Sequence, residues 1–194
     1  MSDLRVHKTK YINETKRVSF KYDGKNYFGY EGDTLASALL ANGVHLIGRS
    51  FKYHRPRGIM SCGSEEPNAI CQISDKNDLT EPNVRATEIE IYDGLEAFSQ
   101  NCWPNVKFDI GGINNLISPL IPAGFYYKTF MWPKSFWKKV YEPLIRMSAG
   151  LGKSPTEPDP DIYDHKYVHY DVLVIVGGLS GIISAKIAAK SNLK

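Results

Sequence analysis

Residues 171–190 read DVLVIVGGLSGIISAKIAAK, and Gly177, Gly178, Leu179, Ser180 and Gly181 at their centre are spaced to hold phosphate. In the dinucleotide pattern G-x-G-x-x-G, one glycine lets the backbone approach the pyrophosphate and another lets the helix pack on the strand. Aligned on the last two glycines, Gly178 and Gly181 take those places, and Val176 stands where the turn glycine belongs. Gly177 supplies that turn if the loop is one residue shorter. The binding force would come from amide dipoles at the start of a helix over 179–190. The acidic residue for the ribose, expected about 20 residues on, has no counterpart before Lys194. The expectation is an incomplete βα unit without tight nucleotide binding.

The stretch Ser61-Cys62-Gly63-Ser64-Glu65-Glu66-Pro67-Asn68-Ala69-Ile70-Cys71 is a second candidate. A plant-type [2Fe–2S] loop carries C-x4-C-x2-C and a distant fourth cysteine. Counting from Cys62, the next ligand positions are Pro67 and Ile70, and Cys71 misses by one. Neither proline nor isoleucine binds iron, and three thiols do not supply four ligands. The expectation is therefore no metal and no iron–sulfur cluster.

Gly48 to Gly58, GRSFKYHRPRG, gathers Arg49, Lys52, Arg55, Arg57 and His54 around Phe51 and Tyr53. Guanidinium forks suit phosphate or carboxylate, and the rings suit stacking. One reading is an anion-facing loop; the other is a solvated loop paired with Glu65 and Glu66. The five histidines form no metal-ligand pattern, and no nucleophile is spaced with a base. No catalytic residue is assigned.

The elements that must position these residues follow from periodicity. Val18, Phe20 and Tyr22 alternate with polar residues as in a half-buried strand. Asp23-Gly24 is a hairpin turn, and Asn26 to Tyr30 is its return strand. Asp33 caps a helix over 34–42 that Gly43 stops, with Leu35, Leu39 and Leu40 on one face. Further strands are expected at 69–73 and 86–92. Hairpin, helix and more strands give an α+β, β-grasp order. Residues 94–147 form an aromatic-rich connector, read as core or interface, with a helix over 135–147. Residues 148–169 hold three prolines and read as a linker. The resulting division is a flexible 1–16, a β-grasp domain at 17–93, connector 94–147, linker 148–169, and the start of a Rossmann-type domain at 170–194.

The charge of +3 and pI near 8.6 do not argue for nucleic acid. The N-terminus has no apolar core of a signal peptide, and no apolar run is long enough for a bilayer. A cytoplasmic protein with free thiols is expected.

The run Tyr27 to Val44, YFGYEGDTLASALLANGV, with GRSFKYHRPRG and SCGSEEPNA, closely resembles the N-terminal part of the alpha subunits of heterotetrameric sarcosine oxidases. The similarity continues through residues 82–115 and YYKTFMWP. It implies a ferredoxin-like β-grasp domain that has lost its cluster, then a nucleotide-binding domain. It further implies oxidative demethylation of sarcosine to glycine, with a one-carbon unit passed to tetrahydrofolate and hydrogen peroxide released. NAD on alpha, with FMN, FAD and tetrahydrofolate in the full complex, and beta, gamma and delta subunits as partners, follow from the same resemblance. The chain is expected to be an N-terminal fragment, inactive alone. Alternatives are a subunit of a dye-linked amino-acid dehydrogenase of the cyanide-forming or proline-oxidising type, or a stand-alone β-grasp interaction module.

Overall fold

The computed structural model describes residues 4–5, 10–74, 80–120, 124, 132–148, 150, 152, 154–159, 161–175 and 177–191. They divide into two compact units, Met1–Glu157 and Pro158–Lys194.

The first unit starts with the expected hairpin. Strand β1 (Asn13–Tyr22) pairs antiparallel with β2 (Lys25–Glu31), placing Phe20 opposite Tyr27. Both turn residues have positive φ, Asp23 at 46° and Gly24 at 74°, the conformation that matches strand twist in a two-residue hairpin. Alternation works as read: Val18, Phe20 and Tyr22 are buried while their neighbours are exposed.

Helix α1 (Leu35–Ala41) crosses this sheet and buries Leu35, Ala36, Ala38, Leu39 and Ala41. Leu40 does not share that face; it is 38% exposed, because one residue turns the helix by roughly 100°. The N-cap is Thr34, not Asp33. Thr34 and Ser37 form a reciprocal capping box. Asp33 lies one step earlier, fully buried, and accepts from the Tyr30 amide at 2.9 Å, the Ser37 hydroxyl at 2.8 Å and the Arg5 guanidinium. Gly43 follows the cap with φ 74°, as expected of a stop glycine.

The remaining strands are β3 (Gly48–Arg49), β4 (Pro56–Arg57), β5 (Ile70–Ser74), β6 (Thr80–Arg85) and β7 (Glu96–Ser99). The main sheet runs β2-β1-β7-β5-β6. β7 lies parallel to β1 and antiparallel to β5, so the sheet is mixed. β3 and β4 pair as a separate two-stranded ribbon.

Residues 86–92 are not a strand. Their backbone serves the start of α1 instead: the Ala86 and Ile89 carbonyls accept from Ala36 and Leu35, and the Ile91 amide donates to Asp33 O. These bonds satisfy helix amides that have no intrahelical partner. Ile91 enters the core at 3% exposure from this irregular path.

The connector is broken into short pieces, including α2 (Ile113–Leu116) and α3 (Glu142–Ser148). The helix expected over 135–147 opens with a tight turn at Lys134–Phe136 and a widened π turn at Trp137–Tyr141. Trp103, Phe108, Trp132 and Phe136 are exposed, so these rings are not core. The aromatics from Phe125 to Phe130 lie outside the described residues.

In the second unit, α4 (Leu179–Ala189) forms with Gly178 as N-cap. The strand expected at 171–176 is not formed over its described part, 171–175. A strand exists by pairing, and no partner for it occurs among the described residues. Leu173 and Ile175 are correspondingly exposed. No helix among the described residues is long and apolar enough to cross a membrane.

Candidate functional site

The loop between β4 and β5 is built around Glu66, whose side chain the sequence reading left to pair with the basic loop. Glu66 is buried at 1% exposure. One carboxylate oxygen accepts from the amides of Met60 and Ser61, both at 2.7 Å. The other accepts from Asn68 at 2.7 Å and Ala69 at 3.1 Å. Burial pushes the carboxyl pKa up, but the four amide donors outweigh it and hold the group below the usual glutamate value. The Glu66 amide closes the turn on Gly63 O at 3.1 Å, and the Thr87 hydroxyl holds that carbonyl at 2.8 Å. Glu66 therefore ties both ends of a ten-residue loop to one charge.

The thiols are separate from this centre in character. Cys62 is exposed on the loop. Cys71 is fully buried in β5, opposite Ser99 of β7, and burial, with Asp23 adding to it, pushes its thiol up to about 12. Cys102 is part-buried, 3.3 Å from the Ser99 hydroxyl, and burial raises it too. All three are free cysteines.

The basic loop forms the β3–β4 ribbon; Arg55 and Arg57 are exposed, while Arg49 faces carbonyls and Lys52 and Arg55 lie over the Tyr53 ring. The Arg49 guanidinium donates to Val106 O at 2.8 Å, Lys107 O at 3.0 Å and His54 O at 3.2 Å. Asn101 Nδ2 donates back to Arg49 O and Ser50 O at 3.1 and 2.7 Å. Arg55 donates to Asn115 Oδ1 at 3.0 Å and lies 4.9 Å from the Tyr53 ring centre. The ribbon is thus laced to residues 101–115. His54 adds a tie: its Nδ1 is 2.7 Å from Asp109, whose other oxygen accepts from the Trp103 and Gly111 amides. His54 has φ 53°, an uncommon conformation for a residue with a side chain. The pair borders a cavity of about 890 Å³ that Asn101, Cys102, Trp103 and Asn114 also line.

Of the sequence-derived glycine site, Gly177 and Gly178 are exposed, and no atom lies near where a side chain would start. Leu179, Ser180 and Gly181 form the first turn of α4. Gly181 is buried. The Ile182 amide donates to Gly178 O at 3.0 Å, closing the first turn.

The mixed sheet crossed by α1, with a wrapped loop leading into β5, resembles a 2Fe-2S-binding type of domain. Residues 15–102 match the family model described as a 2Fe-2S iron-sulfur cluster binding domain. The chain is similar to sarcosine oxidase alpha subunits over most or all of its length. It is 53% identical over 194 residues to "Sarcosine oxidase subunit alpha" of Rhizobium meliloti (strain 1021), and 30% identical over 185 residues to the subunit of that name from Corynebacterium sp. (strain U-96). The chain spans 20% of the first relative's length and 14% of the second's. A solved L-proline dehydrogenase from P. horikoshii aligns with 48% of this chain and 17% of its own at a TM-score of 0.36 and 24% identity.

The family match corrects one expectation. The missing ligands in the Cys62 loop predict no iron–sulfur cluster, whereas the matched family model is described as a cluster-binding one. Ligand spacing reports the donors in one loop; the family is carried by the sheet, helix and core that surround it. The donors present do not by themselves fit a four-thiolate set. The chain has three cysteines, Pro67 and Ile70 hold the other loop positions, and Glu66 takes the loop amides. Among the described residues, no group of three or more His, Cys, Asp or Glu side chains converges as a metal site.

Proposed function

We propose that this chain serves as the N-terminal region of a sarcosine oxidase alpha subunit, acting in the oxidative demethylation of sarcosine to glycine with transfer of a one-carbon unit and release of hydrogen peroxide. The observation that carries this reading is 53% identity to an alpha subunit over all 194 residues. Identity of that extent reaches through the β-grasp segment, the connector and the glycine turn alike, where a shared domain alone would match only 15–102. Its role is to fold and to dock: no nucleophile–base pair is assigned, and the chain alone is inactive toward sarcosine. Beta, gamma and delta subunits are its proposed partners, in the cytoplasm.

The proposed domain order is a β-grasp domain from 17 to 93, a connector to 147, a linker over 148–169 and the opening of a Rossmann-type domain from 170. Within that opening, Gly177, Gly178, Leu179, Ser180 and Gly181 present backbone amides to a nucleotide phosphate. The exposed glycines at the start of α4 support this reading. The pairing that would make 171–175 a strand belongs to the rest of such a domain.

The test is sarcosine-dependent peroxide formation by the purified chain. No peroxide above the protein-free rate is expected. Turnover by the chain alone would overturn its role as a non-catalytic region.

A further inference from the structure

Glu66 is a buried negative charge whose hydrogen-bond partners among the described residues are all backbone amides, with no Lys, Arg or His ion pair there. Burying a carboxylate is costly unless its lone pairs are filled. Here they are: two donors converge on each oxygen, matching what an ionised carboxylate accepts. Successive amides turned inward in this way form an anion-binding concavity. A second observation lies in the same loop. The Ser61 hydroxyl oxygen is buried and has no hydrogen-bond partner among the described residues. A buried hydroxyl left unmatched is uncommon, and it is a further donor beside the Ser61 amide that Glu66 already uses.

We infer that the amides of Met60, Ser61, Asn68 and Ala69, with the Ser61 hydroxyl, form a carboxylate-binding site that Glu66 fills from within the same loop. The site reads charge and two-oxygen shape; the glutamate stem only delivers the group. Cutting the stem therefore leaves a receptor for a small free carboxylate such as formate, which is free to settle where it also takes the Ser61 hydroxyl. The loop's order, and with it the display of exposed Met60 and Cys62, depends on that occupancy.

The experiment is thermal unfolding of the full chain at neutral pH, with chloride replaced stepwise by formate at constant ionic strength. Glu66→Ala is expected to melt roughly 10 °C below the wild type in chloride. Formate should raise its midpoint by several degrees more than it raises the wild type's. Ser61→Ala in the Glu66→Ala background should weaken that rescue. An identical formate response in wild type and Glu66→Ala would overturn the inference. If Glu66→Ala does not fold, Glu66→Gln decides by amide hydrogen exchange. A neutral carboxamide keeps one accepting oxygen and turns an NH2 toward the other two donors. Protection should survive at one amide pair and fall at the other; equal protection at all four would overturn the inference.

Discussion

Asp33 and Glu66 show how two buried carboxylates do different work in one small domain. Asp33 gathers the Tyr30 amide, the Ser37 hydroxyl and Arg5, so it joins the end of β2, helix α1 and the chain before β1. Glu66 gathers amides alone. Neither role is written in the residue types: an acidic residue before a helix reads as a cap, and an acidic residue in a polar loop reads as solvated. Burial decides, and burial comes from distant elements. Cys71 is the residue whose burial has the plainest pH consequence. Its folded thiol is raised to about 12 by burial, so it holds its proton longer folded than unfolded. Its stabilising contribution is complete below the unfolded thiol pKa and is lost as pH rises through the folded one. Urea unfolding should show the wild type losing about 2 kcal/mol between neutral pH and pH 10 through this thiol, from an unfolded value near 8.5. Cys71→Ala should lose correspondingly less over that interval.

At the scale of elements, the hairpin and α1 were legible because each carries its own signal. Alternating Val18, Phe20 and Tyr22, the Asp23-Gly24 turn and Gly43 all act over a few residues. β6 and β7 were not legible. TEPNVR contains Pro82 and a positive-φ Asn83, and β6 stands at the sheet edge where such residues are tolerated. EAFS is four residues long and is a strand because β1 and β5 flank it. The reverse error came at 86–92, where Ile89 and Ile91 alternate like a strand while the backbone is committed to the start of α1. The β3–β4 ribbon was read as charge and proved to be architecture. Three carbonyls around Arg49 need a planar fork of donors, which lysine lacks. Arg49→Lys should therefore cost about 1–2 kcal/mol of stability. It should also raise amide exchange over 50–57 while leaving α1 unchanged, as hydrogen-exchange mass spectrometry would show.

At the scale of the molecule, the two units carry different kinds of information. The first has a closed core running from Val18 to Ala97. Residues 15–102 within it match a 2Fe-2S iron-sulfur cluster binding domain model. Among its described residues the second has one helix and exposed apolar side chains at positions from Val172 to Ile187. Its expected strand was legible as a pattern but does not form, because a pattern becomes a strand only against a partner. The similarity to the Rhizobium alpha subunit runs through both units. The most direct measurement exchanges this chain for the matching N-terminal region of the Rhizobium alpha subunit and assays the assembled enzyme for sarcosine-dependent peroxide. A complex that assembles and keeps activity within about tenfold of the parent, a barrier change of about 1.4 kcal/mol, is the predicted result. A soluble hybrid alpha subunit that fails to assemble, or assembles without sarcosine turnover, would contradict the account.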